Sequence, residues 1–168
     1  MYHFSQASEN RLLTCHPKLA AVARAAIQAV DFGITCGFRD ELEQMKAYPK
    51  YTRVTWPNSK HNHQRRLTAA EVAGGIPRGS RQDTAGVWRT PESLAFDFLP
   101  YDNAKRTYVD WNDAETWAYV AGHILMAGHM LGITLRWGHD WNQNDSLSDE
   151  TGLVDRPHIE LVETGVVA

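Results

Sequence analysis

The residues best suited to chemistry stand near the end of the chain, in Asp155-Arg156-Pro157-His158-Ile159-Glu160-Leu161. His158, Glu160 and Val162 alternate with Ile159 and Leu161, the period of a strand with one polar face. Pro157 has no N–H to give a sheet ladder, so it marks where the strand begins. An imidazole and a carboxylate on one strand face are costly to bury without partners. A metal ligand with an orienting carboxylate nearby uses both groups. A solvated histidine on a surface strand is the alternative, and these residues alone leave it open.

Other parts of the chain supply further donors. His61 lies in Ser59-Lys60-His61-Asn62-His63, and Asp97 interrupts the apolar run Leu94–Pro100. A buried carboxylate needs a cation, a donor cluster or a metal; an arginine such as Arg39 would also serve. Two histidines and one carboxylate from different elements make an open zinc site, with three protein ligands and a position left for water. His61, Asp97 and His158 are the candidate ligands. Asp155, three residues before His158, is placed to take a proton from that water. Arg39 could hold a developing oxyanion or a substrate carboxylate, or merely pair with Asp40 or Glu43.

Several elements must position these groups. Pro17 opens a helix whose apolar stripe is Leu19, Val22, Ala23, Ala26, Ile27 and Val30, after a polar, mixed lead-in over residues 1–16 that reads as extended. Phe32, Ile34 and Cys36 alternate as a short strand. Asp40 and Glu43 read as the capping pair of a helix reaching about Tyr48. Leu94–Pro100 reads as a strand, and Asp113 caps a long helix through Leu131 that Gly132 ends. Ile133, Leu135 and Trp137 alternate as another strand. Between His61 and Asp97, residues 62–92 carry five arginines against three acids, a balance of +2 in a chain of net charge −3. Thr68 and Glu71 could cap a short helix there; the rest has no period and reads as loop.

Composition sets the outer bounds. A chain of 168 residues, 43% apolar and 22% charged, suits one soluble domain with a sizeable core. The acidic net charge argues against nucleic-acid or anionic-membrane binding, and against a nuclease reading of His61-Asn62-His63. Cys15 and Cys36 make neither a disulfide framework nor a zinc-type pair, and whether they pair with each other is open. There is no signal-like N-terminus and no membrane-length apolar run. The expectation is synthesis in the cytoplasm without a signal peptide or membrane anchor. Six tryptophans are many for this length and suggest a lined groove.

Taken together, the motifs resemble the zinc peptidases that cut bacterial cell-wall peptides: D-Ala-D-Ala carboxypeptidases and dipeptidases, and phage L-alanyl-D-glutamate endopeptidases. The family pattern is SxHxxGxAxD followed by (D/E)xxHxE. Ser59-Lys60-His61 matches its start, Ala95-Phe96-Asp97 its middle, and Asp155, His158 and Glu160 its end. Gly37-Phe38-Arg39 with Gln44 resembles the GYRxxxxQ-like stretch whose arginine contacts substrate. Trp137-Gly138-His139-Asp140-Trp141 resembles the WGGDW stretch of the endopeptidase branch. The likeness runs from about His16 to Leu161. It departs in three places: Ser93 and His139 replace glycines, and His61 and Asp97 are 36 residues apart, so 62–92 is an insertion.

The resemblance implies a single α+β domain over residues 1–168, hedgehog/DD-peptidase-like, with helices packed on a small, mostly antiparallel sheet. It implies one catalytic Zn2+ held by His61, Asp97 and His158, with His63 as the alternative first ligand. On an extended backbone His61 and His63 would point the same way; the spacing from Ser59 favours His61. Asp155 is the implied base and Arg39 the oxyanion partner. Ser59, Glu160, Trp137 and Asp140 would support the site or touch substrate. The implied activity is hydrolysis of peptidoglycan stem peptides by a monomer released to the cell wall, as an L-alanyl-D-glutamate endopeptidase of endolysin type. A D-Ala-D-Ala carboxypeptidase and a non-catalytic zinc-containing wall-binding module are the alternatives. By its position and charge, rather than by the resemblance, the insertion could cover or line the cleft, with Arg65, Arg66, Arg78 and Arg89 steering or clamping muropeptide carboxylates and Trp88 packing on peptide or sugar; a solvated insertion that only decorates the surface is the alternative.

Overall fold

A computed structural model describes residues 1–47, 57–144, 146 and 154–162. The lead-in is not extended: residues Gln6–Leu12 form helix α1, because Ser5 caps it by accepting from the Ser8 N–H at 3.2 Å. Ser8 and Leu12 are its buried residues. Helix α2 (Pro17–Ala26) starts with proline at its first turn and buries Leu19, Val22, Ala23 and Ala26. It stops at Ala26, short of the stripe's end at Val30. Strand β1 (Phe32–Cys36) and helix α3 (Glu41–Ala47) follow. Asp40 and Glu43 exchange the expected capping bonds, each 2.9 Å. The expected end of this helix at Tyr48 lies outside the described residues.

A 3₁₀ turn (Lys60–Asn62) leads into the insertion. The insertion is not a loop. Strands β2 (Gln64–Arg66), β3 (Arg81–Gln82) and β4 (Trp88–Pro91) form a small antiparallel sheet of order β2-β4-β3, with helix α4 (Ala69–Gly74) between β2 and β3. Thr68 caps α4 with Glu71 in the pairing read from the sequence. Strands of two to four residues are too short to show a period, so alternation cannot reveal them.

The main sheet comprises β1, β5 (Ala95–Asp102), β6 (Thr107–Tyr108), β7 (Leu135–Trp137) and β8 (His158–Leu161). Its order is β1-β5-β8-β7, with β6 on β5, and every pairing is antiparallel. The long helix α5 (Ala114–Met130) is capped by Asp113 and packs beside α2. One sheet face carries Phe32, Ile34, Phe96, Phe98, Trp137 and Ile159, all buried in one core with the α2 and α5 stripes. Phe98 meets Trp117 of α5 at 5.4 Å between ring centroids. Each such side chain contributes roughly 1.5–3 kcal/mol when buried, so this face is a fixed platform. The alternation that buries Phe96, Phe98 and Ile159 turns Asp97, His158 and Glu160 to the opposite face.

Candidate metal centre

Register brings the site together. Asp97 on β5 stands directly opposite His158 on β8, and Cys36 on β1 is opposite Asp97 on its other side. A register shift between Ile34 and Cys36 turns Cys36 towards this row. His61 arrives from outside the sheet on the 3₁₀ turn. Its backbone is pinned there: the Ser59 hydroxyl accepts from the His61 N–H at 3.3 Å, the His61 carbonyl accepts from Arg39 N–H at 2.9 Å, and the Asn62 amide donates to the Arg39 carbonyl at 2.8 Å. Ser59 thus holds the turn that presents His61.

Three acceptor atoms converge. His61 Nε2 lies 3.1 Å from Asp97 Oδ1 and 3.2 Å from His158 Nδ1, and His158 Nδ1 lies 3.4 Å from Asp97 Oδ1. Ligands at zinc distances in a tetrahedron are separated by about 3.3–3.4 Å, so this triangle fits such an ion. The far nitrogens are both engaged. His61 Nδ1 donates to the Gly37 carbonyl at 2.7 Å, and His158 Nε2 donates to Glu160 Oε2 at 3.1 Å. Each bond selects the tautomer whose lone pair faces the triangle. Two imidazole lone pairs and a carboxylate oxygen facing one another repel unless a cation or proton stands between them, and the donor set therefore suits a divalent metal.

The electrostatics agree. Burial opposes charge on His61, yet the neighbouring Asp97 carboxylate, aided by Cys36, raises this imidazole to about 10. Burial likewise opposes charge on His158, but hydrogen bonds to Asp97 and Glu160 raise it. Burial opposes charge on Asp97, and the two imidazoles outweigh it, holding its carboxyl well below the usual carboxylate range. Without a metal the site gathers protons. Asp155 behaves differently: burial, reinforced by the Asp97 charge, pushes its carboxyl above the ordinary value, while His158, His61 and Arg39 pull it down. A carboxyl poised this way beside the triangle is suited to accepting and returning a proton.

Cys36, His61 and Asp97 also lie within 4.8 Å of one another as donor groups. On that side of His61, Nδ1 is 3.8 Å from Cys36 Sγ but already bonded to the Gly37 carbonyl. Arg39 Nη2 contacts both Cys36 Sγ at 3.5 Å and Asp97 Oδ2 at 3.1 Å, so a cation already occupies that side. Asp97 therefore pairs with Arg39 through one oxygen and faces the histidines with the other. Arg39 is further held by Gln44 Oε1 at 3.2 Å.

His63 is directed elsewhere. The backbone at His61 is a 3₁₀ turn rather than extended, so residues two apart diverge, and His63 Nδ1 bonds to the Glu92 carbonyl at 2.8 Å. Trp137 is in the core at 5% exposure, donating to the Arg156 carbonyl at 2.7 Å and so fixing the turn between Asp155 and His158. Asp140 accepts from Asn144 N–H at 3.2 Å and organises the loop after β7. Sequence reasoning passed over three residues around the triangle: Cys36, Arg136 and Trp141. Arg136 donates to Glu160 Oε1 from Nε at 3.0 Å. Trp141 packs on the His158 ring at 5.5 Å. The Leu135-Arg136-Trp137 alternation did carry the signal for Arg136, since it sets Arg136 on the opposite face from two core residues. Cys15 and Cys36 are both free thiols; burial pushes Cys15 up to about 12.

In the insertion, Arg65 is paired with Glu71 at 2.6 Å and Glu92 at 3.2 Å, and Arg89 with Asp83 at 2.8 Å. Both guanidinium groups are thus paired with acids of the insertion itself while staying partly exposed.

No helix among the described residues is long and apolar enough to cross a membrane. Residues 1–162 match the model of the phage L-alanyl-D-glutamate peptidase family. The chain is 32% identical to the L-alanyl-D-glutamate peptidase of Escherichia phage T5 over 165 residues, covering 96% of this chain and 98% of that protein. Its fold is similar to the crystal structure of the Serratia marcescens L-Ala D-Glu endopeptidase ChiX, with a TM-score of 0.54 at 20% identity, covering 95% of this chain and 90% of that one. Sequence and fold agree with the motifs, and the chain belongs to the phage L-alanyl-D-glutamate peptidase family.

Proposed function

We propose that this chain is a zinc-dependent peptidoglycan peptidase that hydrolyses the L-alanyl–D-glutamate bond of cell-wall stem peptides and acts on the wall as an endolysin. The observation that carries the reading is the triangle of His61 Nε2, Asp97 Oδ1 and His158 Nδ1, whose edges of 3.1–3.4 Å suit one tetrahedral ion. The names of the relatives supply the scissile bond. His61, Asp97 and His158 would hold the zinc. Bound there, zinc lowers the pKa of a water towards neutrality and polarises the scissile carbonyl.

The chain's own residues do the rest. Asp155 accepts the proton of the attacking water, since its raised affinity for protons suits a base that must also release the proton to the leaving amine. The Arg39 guanidinium, fixed by Asp97, Gln44 and Cys36, is placed to stabilise the oxyanion or to hold a substrate carboxylate. Glu160 keeps His158 in the tautomer that offers Nδ1. Arg66 and Arg78, exposed on the insertion, remain candidates for steering anionic muropeptide.

Purified protein should release L-alanine carboxyl termini and D-glutamyl amino termini from muropeptides, as read by mass spectrometry, and lose that activity on chelation. Release of D-alanine instead would assign a carboxypeptidase. Zinc binding with no turnover on any muropeptide would make the chain a binding module.

A further inference from the structure

We propose that Arg136 and Trp141 are positioning residues for the His158 imidazole, bracketing it so that Nδ1 faces His61 and Asp97. The proposal rests on the zinc reading above and adds two residues to it. His158 could rotate about its ring torsion, and only one orientation closes the triangle. Glu160 selects that orientation through Oε2. Glu160 is itself a 5% exposed carboxylate on a four-residue strand, and it needs something to hold its plane.

Arg136 provides that hold. It stands directly across from Glu160 in the β7–β8 register. Its Nε and Nη2 both donate to Glu160 Oε1, leaving Oε2 for His158. Two donors fixed in one guanidinium plane converge on Oε1 and hold that oxygen in place, and with Oε2 bonded to His158 the carboxylate is anchored at both oxygens; a lysine offers no such fixed pair of donors. The Arg136 guanidinium is in turn seated with Cζ 5.2 Å from the Trp141 ring centroid. Trp141 completes the circuit by packing on His158 with ring planes tilted by 39°. Arg136, Glu160, His158 and Trp141 thus form a closed ring of contacts around one candidate ligand. The turn after β7 makes this possible: the Asp140 N–H bonds back to the Trp137 carbonyl at 3.1 Å, and Gly138 leaves room for the Trp141 ring.

The competing account is that Arg136–Glu160 is a cross-strand ion pair that only ties β7 to β8. It predicts lost thermal stability with unchanged metal affinity in whatever stays folded. The full chain is therefore titrated with zinc against a chromophoric chelator, beside thermal melts of the metal-free protein. Arg136→Met should weaken zinc binding by about 10- to 100-fold, as removal of such outer partners does. Arg136→Lys should recover part of that loss, because it restores charge without the fork. Trp141→Leu should weaken binding in the same direction, and the double variant should lose less than the product of the two single losses, because both brace the same ring. A folded Arg136→Met with zinc affinity within about twofold of the parent overturns the proposal. If Arg136→Met does not fold, unchanged affinity in both Arg136→Lys and Trp141→Leu overturns it. A parent that binds no zinc removes the metal reading and this one together; a zinc-binding parent with unaffected variants removes this one alone.

Discussion

Gly138 and Gly122 make a pair in which the same substitution should act with opposite sign. A Cβ at Gly138 would come within 2.4 Å of the Asp155 carbonyl, 3.0 Å of His158 Cβ and 3.0 Å of Trp141 Cζ2. None of these neighbours can yield alone. Gly138 N–H donates to the His158 carbonyl at 2.8 Å, and Asp155 N–H donates to the Gly138 carbonyl at 2.7 Å. Relieving the clash to ordinary contact needs the 155–158 turn to move off β7 by about 1 Å, and a shift of that size can cost about 10²-fold in rate. The overpacking itself should cost about 2 kcal/mol, or roughly 4–8 °C in Tm for a chain of this size. At Gly122, inside α5, a Cβ meets nothing within 4 Å. Alanine there should stabilise by about 0.5–1 kcal/mol, roughly 1–4 °C, with activity unchanged. Differential scanning calorimetry and muropeptide hydrolysis on both variants check this. A folded Gly138→Ala variant with parental kcat/KM would refute the claim that this glycine sets the place of Asp155 and His158.

Four further outcomes follow from the site. His158→Ala and Asp97→Ala should each abolish stoichiometric zinc binding, whereas Asp155→Ala should keep zinc and lose about 10²–10⁴-fold in kcat; metal loss in Asp155→Ala would break the division between ligand and base. Zinc analysis should separate His61→Ala, which loses the metal, from His63→Ala, which retains it, and the reverse result would move the ligand to His63. Because His61 is raised to about 10 in the metal-free protein, its proton is bound at neutral pH, so zinc must expel it and apparent affinity should climb as pH rises through neutrality. Calorimetry in buffers of different ionisation enthalpy reads that proton release, and buffer-independent heats would contradict it. Replacing residues 65–90 by a short Gly/Ser linker should preserve folding and zinc, since Glu92 N–H already bonds the His63 carbonyl at 3.1 Å and closes the base of the insertion. If the insertion lines the cleft, kcat/KM should fall at least about tenfold, or about 1.4 kcal/mol, and parental turnover would show it to be surface decoration.

Much of the arrangement could be read without coordinates because it depends on alternation. Phe96-Asp97-Phe98 and His158-Ile159-Glu160 each fix which side chains share a face, and antiparallel pairing of β5 with β8 then sets Asp97 against His158. The long α5 and the Asp40–Glu43 cap were legible for the same reason: periodicity and capping are local. What was not legible depends on contacts that sequence spacing does not encode. The path of His61 is one case, because a three-residue 3₁₀ turn separates it from His63 in direction, whereas extended backbone would have aligned them. The tryptophan stretch is another. Its first tryptophan lies in the core and supports the 155–158 turn from there, while its last, brought back by the turn at Gly138–Asp140, reaches His158.

The insertion shows why the centre tolerates so large an interruption of its motif. His63 and Glu92 are bonded neighbours, and β2 and β4 continue that pairing outward from Gln64 and Pro91. The chain therefore leaves the site and returns to it at one point, and its own sheet and ion pairs satisfy the added residues. The 3₁₀ turn on one side is locked to Arg39 through the Asn62 amide and the His61 carbonyl. On the other side, Ser93 N–H bonds the Thr14 carbonyl at 2.8 Å and Leu94 N–H bonds the Lys60 carbonyl at 2.9 Å. The Leu94–Lys60 bond ties the start of β5 to the turn bearing His61. The distance between His61 and Asp97 is set by that bond and by the sheet, so the number of residues between them in sequence can grow without moving either side chain.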